Sequence, residues 1–353
     1  MYKYIIILLL LVHFGQNLAL SQAKEEKEPK DYSNSNLFEH DSLIKIKLYL
    51  NKKLLLRDVG DDRKYHNALV SYAEPDGEKD LSIKIQTRGN FRRNPKNCNF
   101  APLKFKIPKD VGKSKNIFSG QSSLKLVVPC FQNNEKYQEF VIQEYLIYKV
   151  YQLFTDISYK VRLVEIEMND SLKTDKTIRF TGFFIEETQQ LATRKNGLIK
   201  EFKKYHPEQV NREQMTMVNV FQYLIGNTDW SVEVGHNIKL IFLDNKGVPF
   251  AIPYDFDWSG IIDAPYAIPA PVLGINDVSQ RLFRGYQRSI HEYDPVIQLF
   301  NEKKEAIYSL FMNCSMLSEK TKASTAKYID EFYETINNPK QVQREFIDNC
   351  RKP

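Results

Sequence analysis

Acidic and amide side chains flank two short apolar runs between residues 226 and 257. Asp229 follows a helix-like segment, and Asn237 directly precedes the first run. Asp255 and Asp257 follow the second run. Two antiparallel strands would bring these side chains to one end of a hairpin. Because carboxylates can take a hydroxyl proton and hold Mg²⁺ or Mn²⁺, the pattern predicts phosphoryl transfer.

In this interpretation Asp229 is the catalytic base, and Asn237, Asp255 and Asp257 hold the metal. The alternative is that these acids only terminate elements at solvated loops. Their position directly after apolar elements favours a site.

A lysine and a glutamate earlier in the chain match the other half of such a site. Lys125 lies in an apolar strand at 124–128, and Glu144 lies midway along the next helical segment. Kinases use a pair of this kind to hold an ammonium group against nucleotide phosphates. Two alternatives stay open: Lys125 is an outward residue of an alternating strand, or Glu139 takes the role of Glu144.

The loop that follows the strand at 81–87 is basic. Arg88, Arg92 and Arg93 surround Gly89, where the backbone can approach a ligand closely. Guanidinium groups bind phosphate oxygens in pairs, so Arg88 is a predicted nucleotide contact. The alternative is a solvated basic loop.

The order of these short motifs resembles the CotH spore-coat kinase family from about residue 80 to 260. The motifs are Gln86-Thr87-Arg88-Gly89-Asn90, Pro102-Leu103-Lys104-Phe105-Lys106, Leu124-Lys125-Leu126, Glu144-Tyr145-Leu146, Gly182-Phe183-Phe184-Ile185-Glu186-Glu187, Asn227-Thr228-Asp229 and Pro253-Tyr254-Asp255-Phe256-Asp257. The resemblance implies a protein-kinase-like fold that phosphorylates proteins with ATP and a divalent metal.

The resemblance also implies roles for single residues. Asp229 matches the catalytic-loop aspartate, and Asp255 matches the metal-binding one. Glu186 and Glu187 fall where the chain would pass the adenine between two lobes. The sequence departs from the family after Asp229, and Asn237 follows eight residues later, a longer spacing than the kinase loop has.

Hydrophobic periodicity predicts the elements that position these residues. Period-two segments predict strands at 43–50, 81–86, 102–107, 123–128, 160–168, 178–186, 238–243 and 248–253. Helical spacing predicts helices at about 134–154 and 211–225, the second ending at Gly226, and further helices in the last part of the chain. The predicted fold class is α+β and two-lobed: a β-rich lobe at 41–187 with one long helix, then a mainly helical lobe at 188–353 with its catalytic hairpin at 226–257.

Composition places the chain among globular proteins, with 42% hydrophobic and 27% charged residues. The formal net charge is +6, with both signs interspersed, so no nucleic-acid partner is expected. Residues 1–23 read as a signal peptide, with an uncleaved anchor as the alternative, and 24–40 as a flexible linker. The apolar run is too short for a transmembrane helix, so an exported protein is expected, in the periplasm, the cell envelope or outside the cell.

Four cysteines in an exported chain are compatible with two disulfides. Local pairing favours Cys98 with Cys130 and Cys314 with Cys350, and free buried thiols are the alternative.

The preferred function is therefore an exported CotH-like kinase that acts on protein hydroxyls. One rival is an envelope binding or scaffold protein that has lost catalysis. Another reads Asp255-Phe256-Asp257 as the metal clamp of a nucleotide-sugar glycosyltransferase, which would require a parallel sheet ahead of it.

Overall fold

A computed structural model of the chain describes residue 32 and residues 35–109, 116–200, 204–243 and 247–352, without the side chains of 173–176. These residues belong to one compact unit, Tyr32–Pro353. The predicted signal peptide, most of the predicted linker and the hairpin turn at 244–246 lie outside the described residues. The described end of the linker places Leu37 and Phe38 in the core.

Seven strands form the first part of the structure. They are β1 Ile44–Leu50, β2 His66–Glu74, β3 Gly77–Thr87, β4 Leu103–Lys106, β5 Ser123–Val127, β6 Val161–Asp170 and β7 Lys173–Ile185. Six of them confirm the segments predicted from periodicity. Strand β2 and a short helix α1, Lys52–Arg57, were not predicted. The apolar positions of β2 do not alternate cleanly, since three consecutive residues, Val70, Ser71 and Tyr72, are buried.

The seven strands close into a barrel in the order β1-β2-β3-β4-β5-β7-β6. Closure comes from a parallel pairing of β1 with β6, in which Ile46 stands opposite Ile166. The prediction of a two-lobed, protein-kinase-like fold is therefore wrong. Alternation within a strand does not specify which distant strand it pairs with, so the closing pair of β1 with β6 could not be predicted from periodicity.

The barrel interior is a packed hydrophobic core. Inward residues alternate along β1, where Ile46 and Leu48 are buried and their neighbours are exposed. Aromatic rings fill the centre, with Phe105 and Phe118 both in edge contact with Phe184. Such a filled interior gives the surrounding loops a rigid support.

The helices are α2 Glu135–Phe154, α3 Thr188–Arg194, α4 Arg212–Ile225, α5 Ile290–Glu302, α6 Lys304–Met312, α7 Glu319–Ile336 and α8 Pro339–Val342, followed by a π-helical turn at Gln343–Asp348. Helix α2 packs against β6 and β7 of the barrel and against α6. Every residue from Phe140 to Tyr148 is therefore buried, including Glu144. No helix in the described ranges combines the length and apolarity that a bilayer crossing requires.

A second, three-stranded sheet carries the predicted hairpin. Its strands are β8 Gly197–Leu198, β9 Ile238–Leu243 and β10 Phe250–Pro253, in the order β10-β9-β8. Helix α4 has Asn211 as its N-cap and Gly226 as its left-handed C-cap, as predicted. A side chain at Gly226 would collide with the hydroxyl of Tyr328, so both backbone geometry and packing require glycine there.

One of the two predicted disulfides is confirmed. Cys98 and Cys130 are bonded and join the loop after β3 to the end of β5. The pairing of Cys314 with Cys350 is wrong, since both are free thiols. Cys314 is half-buried after α6, whereas the buried Cys350 thiol donates to the carbonyl of Ile347.

Glu139 joins α2 to α7. Its carboxylate accepts hydrogen bonds from the Ser318 backbone at 2.5 Å and the Thr321 hydroxyl at 2.6 Å. These bonds overcome the opposing effect of burial and lower the pKa of Glu139 to about 2 from its usual 4.5. Glu139 is thus an interhelical cap rather than the nucleotide-site glutamate considered as an alternative.

We expect Glu139→Gln to lower the free energy of unfolding by about 1–3 kcal/mol at pH 7, because charged hydrogen bonds are lost. A carboxylate with a depressed pKa stabilises fully above pH 4.5 and loses that effect as the pH falls towards 2. In urea unfolding, the free energy of unfolding of the variant should differ less from that of the parent protein at pH 3 than at pH 7. Glu334→Gln, at an exposed position of α7, is the control. An equal difference at both pH values would contradict the cap.

Candidate functional site

The β9–β10 hairpin brings the predicted polar residues together at one end. The two strands pair antiparallel, with Ile238 opposite Pro253. Beyond this pair, the Tyr254 amide donates to the Asn237 carbonyl at 3.0 Å. Asn237 therefore stands opposite Tyr254, and Asp255 is the next residue, where the hairpin leaves the sheet.

Asp229 is held by four hydrogen bonds, one of which runs from Asn237 Nδ2 to the Asp229 backbone carbonyl at 2.8 Å. Its backbone amide donates to the Asn227 side chain at 3.0 Å. Its carboxylate oxygens bind His236 Nε2 at 2.8 Å and accept from Asn237 Nδ2 at 3.1 Å. The side chain is still 35% exposed. An oriented, accessible carboxylate of this kind is suited to accept a proton from a bound hydroxyl.

Asn237 and Asp255 both adopt left-handed backbone conformations, with φ of 50° and 64°. Residues other than glycine rarely do so, and such strain is concentrated at functional sites. The Asp255 amide is fixed by a 2.9 Å hydrogen bond to the Tyr148 hydroxyl from α2. Helix α2 therefore sets the geometry of this end of the hairpin.

Buried acids lie behind Asp255. Asp257 is 8% exposed, 3.6 Å from Arg92, and accepts from the Tyr266 hydroxyl at 3.2 Å. Burial, and secondarily the charge of Asp255, raise its pKa to about 6. Burial and both aspartates raise the pKa of Glu144, and one oxygen of Glu144 has no partner among the described residues. The positive charges of Arg92 and Arg88 oppose this rise at Glu144.

Cations lie around the ring of Tyr254, the residue before Asp255. The ammonium groups of Lys125 and Lys239 lie 5.3 and 5.6 Å from the centre of its ring. Burial, with Arg88 and Lys239 nearby, lowers the pKa of Lys125 to about 8. The Nε of Arg88 is buried and without a partner within the described part of the chain. These groups would gain from a bound anion.

The predicted pair of Lys125 with Glu144 is not formed among the described residues. Glu144 is influenced by Arg92 and Arg88, whereas Lys125 is influenced by Arg88, Asp255, Lys239 and Glu187. Asp255 acts on both Lys125 and Glu144. The positive groups that act on Glu144, however, are the guanidinium groups of Arg92 and Arg88 and not the Lys125 ammonium.

The two glutamates predicted near the adenine contact protein groups. Glu186 is fully buried, and Arg194 donates to both of its oxygens at 3.0 and 2.9 Å. Glu187 accepts from the Tyr32 hydroxyl at 3.0 Å. Glu186, at the end of β7, therefore fixes α3 to the barrel through Arg194.

Asn237, Asp255 and Asp257 are chemically suited to Mg²⁺ or Mn²⁺, which bind few protein carboxylates and complete their shell with water and phosphate oxygens. The unpartnered oxygen of Glu144 and the raised pKa of Asp257 fit a cation nearby. Within the described ranges, no three His, Cys, Asp or Glu side chains form a ready-made metal site.

Lys125 predicts a pH dependence of anion binding. With a pKa of about 8 it is charged at pH 7 and mostly neutral at pH 9. We expect nucleotide affinity to fall roughly tenfold between these pH values if only the charged form binds, since each pH unit above a pKa removes a factor of ten. The nucleotide affinity of the Lys125→Met variant, measured at the same pH values, should not change with pH in this way. A parent protein whose affinity changes no more than that of the variant would contradict it.

No role was predicted for His236 or Arg284. His236 contacts Asp229. Arg92, considered as a phosphate contact or a solvated loop residue, is buried and faces Asp257. Arg284 donates to the carbonyls on both sides of Asp229, those of Thr228 and Trp230. His236 could have been predicted as a site residue, because it directly precedes Asn237. Nothing near Arg284 in the sequence indicates that it lies beside Asp229.

No protein-family model matches the chain, and no curated protein matches its sequence. The resemblance to CotH kinases rests on the short motifs alone and stays a prediction.

Proposed function

We propose that the chain is a metal-dependent phosphotransferase that moves the γ-phosphoryl group of ATP to a protein hydroxyl, as the resemblance to CotH kinases implies. The observation that carries the proposal is that Asp229, Asn237 and Asp255 lie at one end of the β9–β10 hairpin, with Lys125 close enough to Asp255 and Arg88 for their charges to act on it.

The presence of cations and acids in the same site supports a triphosphate donor bound together with a metal. Lys125, Lys239 and Arg88 provide the positive groups that a triphosphate needs, around the ring of Tyr254. Asp255 acts on Lys125, and Asp255 and Asp257 would hold Mg²⁺ or Mn²⁺. The metal, when bound with ATP, would neutralise charge on the transferred group.

Asp229 would take the proton of the acceptor hydroxyl while the hydroxyl oxygen bonds to the γ-phosphorus. The bond from the γ-phosphorus to the bridging oxygen breaks, and ADP leaves with that electron pair. His236 and Asn237 fix the two oxygens of Asp229, so one lone pair can be aimed at the hydroxyl.

We further propose that the protein acts outside the cytoplasm. The disulfide Cys98–Cys130 is typical of oxidising compartments and agrees with the predicted leader.

A second candidate is a binding protein of the cell envelope that keeps the anion site without catalysis. The missing Lys125–Glu144 pair favours it. The glycosyltransferase alternative loses support, because all the pairings between described strands except β1 with β6 are antiparallel.

The test is incubation of the purified full chain with labelled ATP and Mn²⁺, with the chain itself and a mixture of unfolded proteins as acceptors. We expect labelled protein, and none with Asp255→Ala. Asp294→Ala, an exposed position on α5, is the matched control. Metal-dependent ATP binding without labelling would favour the binding protein, and absence of ATP binding would overturn both.

A further inference from the structure

A groove with a volume of about 320 Å³ lies directly against Asp229. Trp258 and Val278 form part of its lining, and the loop around Ile268 and Leu273 forms another part. Ile268 is 69% exposed, so an apolar side chain is presented to solvent at the edge of the groove. The cluster of apolar residues beside a candidate base requires an occupant that is apolar and reaches Asp229.

The loop that lines the groove is built to keep its shape. Pro269 and Pro271 restrict the backbone, and Pro271–Leu273 forms a single 3₁₀ turn that ends at Gly274 in a left-handed conformation. Trp258 is fixed from the other side by edge contact with Phe91, 5.3 Å between ring centres. A preformed wall binds an extended segment at a lower entropic cost than a flexible one.

The charge of the groove distinguishes it from the nucleotide side. Asp229 is the one charged residue among its lining residues, whereas the cations Lys125, Lys239 and Arg88 lie around Tyr254. A triphosphate would be repelled by Asp229 and would find no cation in the groove. A neutral, apolar peptide segment with a hydroxyl complements both features.

We propose that this groove binds the acceptor segment of a substrate protein, in which an apolar side chain stands next to the hydroxyl that receives the phosphoryl group. The inference rests on the proposed function and adds the class of substrate to it. The apolar neighbour packs against Ile268 and Leu273, and this contact brings the hydroxyl to Asp229. Acidic neighbours are disfavoured, because they would approach the Asp229 carboxylate.

The test compares three serine peptides, flanked by leucine, glycine or aspartate, with the full chain, ATP and Mn²⁺. We expect the leucine-flanked peptide to have a kcat/KM roughly tenfold above the glycine-flanked one, the scale of burying one aliphatic side chain. Ile268→Ser should remove this preference and leave ATP affinity unchanged. Leu172→Ser, at an exposed apolar position in the β6–β7 turn, is the matched control and should keep it.

Binding of a leucine-flanked alanine peptide, measured by fluorescence anisotropy, separates this proposal from the proposed function. Peptide binding that Ile268→Ser weakens, without phosphoryl transfer, would support the groove and reject the enzyme. Transfer with equal kcat/KM for the leucine and glycine peptides would overturn the groove and keep the enzyme. Absence of both peptide binding and transfer would overturn both.

Discussion

Replacing Asp229 by asparagine is expected to lower the kcat for phosphoryl transfer by roughly 10²–10⁴-fold, the usual contribution of a positioned general base. Asparagine keeps the size of the side chain but cannot take the hydroxyl proton. ATP affinity should change little, because the cations around Tyr254 are untouched. Single-turnover transfer and ATP binding, measured on the same samples, separate the two effects.

The design needs a control for structure, because the amide of the variant would place a donor near the Asn237 amide. Thermal unfolding of Asp229→Asn reports any loosening of the loop. Asp294→Asn, at an exposed position of α5, should retain full kcat. A kcat for Asp229→Asn within a factor of three of the parent value would reject Asp229 as the base.

Removal of the Cys98–Cys130 disulfide is expected to lower the free energy of unfolding by about 3–4 kcal/mol. The bond closes a loop with a sequence separation of 32, and a cross-link of this span removes that much chain entropy from the unfolded state. The double variant Cys98→Ser/Cys130→Ser, studied by denaturant unfolding, measures the effect. Cys314→Ser, which removes a half-buried free thiol, is the control.

The same variant should also weaken ATP binding. The closed segment begins in the loop that carries Arg88 and Arg92, and Arg92 donates to the carbonyl of Val128 beside the disulfide. Loosening this loop separates the guanidinium groups from Asp257 and Glu144. An unchanged unfolding midpoint in the double variant would show that packing alone holds the loop.

Local elements were predictable because their signals lie within a few residues. Alternating apolar residues predicted most of the barrel strands, and Asn211 and Gly226 indicated the two ends of α4. The hairpin from 238 to 253 followed from two apolar runs, and its register brings Asn237 opposite Tyr254, the residue before Asp255. Each of these features depends on periodicity or on the backbone preference of one residue.

Pairings between distant residues were harder to predict. Glu144 was expected to meet Lys125, but it lies near Arg92, because α2 is buried on all sides instead of along one stripe. Glu139 was an alternative for the same role, and it caps α7, which lies far away in the sequence. The residues around Glu144 and Glu139 in the sequence do not indicate that Arg92 and the start of α7 are their partners.

By itself the sequence determined six of the barrel strands, the two longest site helices α2 and α4, the hairpin and the acids that flank it, since propensity and hydrophobic period act over short distances. Only the tertiary structure decided that β1 closes a barrel with β6 and that Cys314 and Cys350 are not bonded. It also decided that Arg92 lies beside Asp257 and that His236 contacts Asp229. These outcomes depend on which surfaces pack together once the chain is compact, and many distant pairings satisfy the same local pattern.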